Sequence, residues 1–330
     1  MSMQGKAVQQ GGTRRRDNAT KYVLLAVVAV AFLATGGIFV RQSGVSPINT
    51  GFYRMLFSIP LLWPLAYGRL GRLGRRDVAL LLLSGLFLAG DVALWNSSFS
   101  YTTVANANLL TNLTPFTVIP VSYFLFRERL PRLFIPGAAV TLAGVVLLLG
   151  GKASPSAGNY FGDMLALAAA FLYAGFLLIA YRLRDTIESS VIMFVSAFGG
   201  LVGLFAASWA VEGLQIPQDW GGLWPILALT LCVQVVGHNL LTHCQGKLSV
   251  NLSAVICLSQ PAIAAVYSWA VFSERLTWME ILGIVVVMAG VYIVKRQYAP
   301  AAGQRGEGLL ARMAAHLPGR RSCKPAGAED

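Results

Sequence analysis

The sequence predicts an all-α integral membrane protein of ten transmembrane helices, built as two inverted five-helix repeats around a central cavity. Three observations predict it: an apolar composition, an internal duplication and a one-sided distribution of cations. The chain is 56% hydrophobic and 12% charged, with a mean hydropathy of +0.63. A soluble domain carries about 25% charged residues. Residues 103–146 align without a gap to residues 249–292, and 13 of the 44 pairs are identical. A chain of internally repeated apolar segments is the usual construction of a secondary transporter.

The predicted spans are 22–40, 47–67, 78–97, 102–126, 133–150, 162–181, 189–211, 221–243, 249–272 and 277–294. Each is close to the ~20 apolar residues that cross ~30 Å of hydrocarbon as helix. Helix follows because an open sheet edge leaves its backbone unsatisfied in lipid. Residues 1–21 form a basic N-terminal segment. The Arg14-Arg15-Arg16 run before an apolar stretch resembles a secretion signal. The stretch is too long for one, and no small-x-small site follows, so 22–40 reads as the first membrane helix. Its Ala31-Phe32-Leu33-x-x-Gly36 echoes Ala170-Phe171-Leu172-x-x-Gly175 in the sixth span.

The first repeat covers 22–150 and the second 162–296, joined by a Ser/Gly/Pro-rich linker, 151–161. Five helices is an odd number, so the second copy enters the membrane upside down. With a cytoplasmic N-terminus, the inside segments hold all but four of the 26 cations: Arg41, Arg54, Lys152 and Arg275. This positive-inside bias places both termini in the cytoplasm and explains the net charge of +12 without nucleic acid. Residues 297–330 form a basic cytoplasmic tail. Cys232, Cys244, Cys257 and Cys323 have no metal or disulfide spacing and read as free thiols.

Pro115 and Pro261 each open the same pattern, Pro-x10-Phe-x-Glu-Arg-Leu-x6-Gly-x5-Ala-Gly-Val. This pattern resembles the EamA domain of the drug/metabolite transporter superfamily. The stretch from Tyr101 to Leu110 is similar to that family's fourth helix. The resemblance covers about residues 22–296 and says little about substrate. It implies the ten-helix inverted architecture and export or exchange of small metabolites, often amino acids or related compounds.

A polar side chain at membrane depth needs a reason. Arg54 and Asp91 both fall ~10 Å below the predicted outer edge, at 1.5 Å per residue. They read as a structural ion pair, or as a charge site for a zwitterion with Asp91 a candidate proton-coupling group. Trp95 shares a helical face with Asp91, and Asn96 lies beside it, a pattern suited to an amine or aromatic solute or to plain core packing. Asn108 and Asn112 share a face with Pro115 and suit either cavity lining or helix–helix bonding. Pro115 and Pro261 are candidate helix kinks, with Gln260 beside the second.

His238 sits on a stripe with Gln234 and Gln245, and reads as a passage or gate residue or a packing histidine. His243 points too far from it for shared metal binding. Tyr173 is a candidate cavity residue. Glu128 and Glu274, though repeated, read as helix-end anchors.

The expected function is therefore secondary transport of a small metabolite across a bacterial inner membrane, with export favoured. The expected partners are that solute, the bilayer and a candidate proton. No cofactor is implied, and a homodimer is compatible with the sequence. A membrane enzyme lacks its nucleophile–base set. The alternatives kept are a sensor or scaffold, and a drug or nucleotide-sugar-like carrier.

Overall fold

A computed structural model describes residues 20–98, 101–102, 107, 110–127, 130–150, 160–272 and 276–297. Asn108, Glu128, Glu274, most of the linker and both basic tails lie outside the described residues. Among the described residues every regular element is helical. We label them α1 (Thr20–Val40), α2 (Pro47–Ala66), α3 (Arg75–Ser98), α4 (Thr114–Phe126), α5 (Phe134–Gly150), α6 (Tyr160–Leu183), α7 (Ser189–Val211), α8 (Trp220–Gln245), α9 (residues 250–272) and α10 (Trp278–Gln297).

Seven of these, α1, α3 and α6 to α10, contain stretches long and apolar enough to cross a membrane. The apolar α4 and α5 are shorter. The 20-residue α2 carries Asn49 and Arg54, and starts on Pro47, where a missing N–H does no harm.

Glycines decide where helices touch. α5 runs along α10, and no other pair packs more extensively. A Cβ on Gly144 would stand 2.5 Å from Val287 N, and one on Gly290 would stand 2.5 Å from Thr141 N. A Cβ on Gly283 would stand 2.7 Å from Leu148 N, and one on Gly137 2.6 Å from Val294 Cγ2. Small residues let the two backbones approach this closely. The contacts are reciprocal at the 146-residue offset: 144 with 287 is the mate of 141 with 290, and 137 with 294 the mate of 148 with 283. α3 lies against both α6 and α7. Gly85 meets the Ser196 carbonyl and Gly199 that of Leu82, while Ser84 and Ser196 hydroxyls bond at 2.6 Å.

The two ends of the α2–α7 pair are tied unequally. Glu212, after α7, accepts hydrogen bonds from the Ser46 hydroxyl, the Ile48 and Asn49 N–H groups and the Asn49 amide. A carboxylate there satisfies the free N–H groups at the start of α2. At the other end Arg69 and Glu188 form an exposed ion pair.

Two helices are interrupted at equivalent places. Residues 112–113 form a turn before α4 restarts at Thr114, and residues 258–259 form a turn between Val250–Cys257 and Gln260–Phe272. Pro115 and Pro261 thus stand just after these turns, in the first turn of the helical stretch that follows. The missing N–H costs nothing at that position. A third irregularity, which no sequence feature signals, is a π-helical stretch in α8, Thr230–His238.

Candidate functional site

The polar groups of the bundle interior gather where these irregularities meet. Arg54 on α2 is 8% exposed, and its charge acts on Asp91 of α3, Tyr173 of α6 and His238 of α8. Tyr173 hydrogen-bonds the thiol of Cys257, the last residue before the break in α9. Phe176, one turn on, stacks on Tyr173 at 5.9 Å between ring centroids and meets the edge of His238 at 5.8 Å. The α4 break lies near the same wall, where the Thr114 hydroxyl approaches the Ala170 carbonyl at 3.5 Å.

The π-helical geometry fixes the histidine. His238 Nδ1 lies 3.1 Å from the carbonyl oxygen of Val233, five residues back, and donates to it. In a neutral imidazole that leaves Nε2 as an acceptor. Gln234, four residues before His238 on the same stretch, is fully buried. π-bulges of this kind occur frequently at functional sites.

The site is unsatisfied. Among the described residues, Arg54 Nε and Nη2 are buried without a hydrogen-bond partner, and so are both amide atoms of Gln234. Most buried polar atoms are bonded, so such groups call for a specific explanation. Among the described residues Arg54 and Asp91 interact through charge without a hydrogen bond.

The other candidates are distributed around this cluster. Trp95 is half-buried one turn beyond Asp91, and its carbonyl accepts from the Ser98 hydroxyl at 2.6 Å. Asn96 is buried and spends its amide N–H on the Pro47 carbonyl at 3.0 Å, tying α3 to the start of α2. Asn112 is half-buried at the α4 break, and Gln260 half-buried where α9 resumes. His243 lies apart, with Nδ1 3.2 Å from Arg184 Nη2. Sequence reasoning missed Gln234, Phe176 and Cys257 as members of the site. Gln234 had one signal, its shared stripe with His238; the other two read as core and as a free thiol.

The model of the EamA-like transporter family matches the chain twice, at residues 20–150 and 160–296. The chain belongs to the EamA-like transporter family. An uncharacterized transporter of Bacillus subtilis (strain 168), YetK, is 27% identical over 299 residues, covering 86% of this chain and 89% of that protein. A probable amino-acid metabolite efflux pump of Escherichia coli (strain K12) is 26% identical over 198 residues, covering 57% of this chain and 66% of that one. A solved crystal structure matches with a TM-score of 0.71 at 18% identity, over 89% of this chain and 99% of its own. The last likeness shows a shared fold. In this EamA-like transporter the charged cluster draws on both matched segments: Arg54 and Asp91 from the first, Tyr173, His238 and Cys257 from the second.

Proposed function

We propose that this EamA-like chain is a secondary transporter that exports a small metabolite, an amino acid or related compound, across a bacterial inner membrane by alternating access. The observation that carries the reading is the cluster of buried Arg54 and His238 with half-buried Asp91 and Tyr173. It stands where the two family-matched segments meet, as transporter sites do at repeat interfaces. The reciprocal α5–α10 crossing supports two inverted five-helix repeats, and the paired breaks in α4 and α9 support a site lined by discontinuous helices. The cation distribution supports cytoplasmic termini. The efflux pump of Escherichia coli supports the substrate class. Asp91 is the carboxylate of the cluster, and on this reading it contacts the solute or carries a coupling proton.

The test compares metabolites in medium and cytosol of cells expressing the intact chain or Asp91→Asn at equal membrane level. A small set of solutes enriched in the medium by the intact chain alone is the expected result. A medium indistinguishable from that of empty cells, under several nutrient loads, refutes transport.

A further inference from the structure

The structure assigns one edge of the Arg54 guanidinium as a carboxylate-binding subsite, so the transported solute is a zwitterion that presents its carboxylate to Arg54. The inference rests on the transport reading above and narrows it to one interaction. Nε–H and Nη2–H lie on the same side of the planar guanidinium and point in nearly the same direction. They are the two donors that engage both oxygens of a carboxylate at once. These two donors are the bare ones, in a side chain only 8% exposed.

Buried N–H donors without acceptors are unfavourable, and a group that supplies two acceptors relieves them. Asp91 does not fill that role: it acts on Arg54 through charge, and these two donors have no partner among the described residues. A carboxylate therefore enters without displacing an existing bond.

Asp91 also decides the net charge of the solute. Arg54 and Asp91 sum to zero, so a simple anion would leave a buried net negative charge. A zwitterion keeps the balance, with its ammonium group toward Asp91. The stacked rings of Tyr173 and Phe176 offer an apolar wall for the remainder of the solute. The bare amide of Gln234, on the π-helical stretch that packs against α2, supplies one neutral donor and one neutral acceptor.

The experiment uses the full chain in proteoliposomes loaded with an equimolar mixture of the twenty L-amino acids and the amines formed by their decarboxylation. Efflux of each solute is quantified by mass spectrometry. Amino acids are expected to leave while the matching amines stay. Arg54→Gln is expected to cut that efflux about tenfold or more, the scale of one lost charge-assisted contact. Arg54→Lys, which keeps the charge and loses the two-donor edge, is expected to fall between. Melting of solute-free protein supplies the second readout: Arg54→Lys, which keeps the charge facing Asp91, is expected to melt near the parent temperature, whereas Arg54→Gln leaves Asp91 without its opposite charge and is expected to melt lower.

Three results overturn the assignment while leaving transport intact. Amines leave as fast as amino acids; or Arg54→Gln retains amino-acid efflux; or Arg54→Lys transports normally, as a purely structural charge would. If the intact chain releases none of these solutes, amino-acid transport itself is refuted, and the subsite with it.

Discussion

Replacing Gly290 by alanine tests the helix crossing that joins the two halves. The new Cβ would stand 2.5 Å from Thr141 N and 2.8 Å from Thr141 Cα, where ordinary contact begins at 3.4 Å. The Thr141 hydroxyl stands nearer still and can turn away, but the backbone atoms cannot, so α5 and α10 must part by about 1 Å. A gap of that size forfeits about a third of each ~0.15 kcal/mol atom contact, and over roughly 50 contacts along the seam the loss is about 2.5 kcal/mol. That figure lies within the ~1–3 kcal/mol of overpacked cores. Reciprocity then makes a sharper demand. Gly144→Ala, which meets Val287 N at 2.5 Å, should cost the same. Gly137→Ala should cost less, because the nearest atom it meets is the end of the Val294 side chain. Combining Gly144→Ala with Gly290→Ala should cost less than the sum, since one separation accommodates both. Thermal melting in detergent provides the ranking. Gly290→Ala melting at the parent temperature would refute the close crossing, and a wide difference between Gly144→Ala and Gly290→Ala would refute its reciprocity.

Glu212→Ala should destabilise the protein by about 2–3 kcal/mol, because it strips a carboxylate from four donors at the start of α2. Glu188→Ala breaks an ion pair whose side chains are 55% and 56% exposed, and should stay within about 0.5 kcal/mol of the parent. Equal melting shifts for the two variants would contradict that ordering. Gln234→Leu replaces an amide with no partners by an apolar side chain of similar size, and should stabilise solute-free protein by about 1–2 kcal/mol. It should also slow transport, and a variant that melts lower while transporting normally would remove Gln234 from the site.

Much of the architecture was legible because membrane burial is written into local composition. Seven helices are long and apolar enough to cross a membrane, each where an apolar run predicts a span. The duplication was visible as identity at a fixed offset, and its glycines proved to be the points of closest approach between α5 and α10. The depth argument put Arg54 and Asp91 at one level. It could not say whether they bond. Sequence likewise put Pro115 and Pro261 at equivalent positions, but not the two-residue turn that precedes each.

The sequence by itself determined that this chain is a helical membrane protein, that it is duplicated, and which rare polar residues the helices carry. Those properties depend on residue type and spacing along one dimension. Only the tertiary structure decided that α8 contains a π-helical stretch, that Tyr173 reaches Cys257, and that the donors on one edge of Arg54 stand bare. Whether a buried donor finds a partner depends on side chains far away in sequence, brought within about 3 Å by packing. That accounting closes only in three dimensions, and among the described residues it leaves two buried donors of Arg54 without a partner.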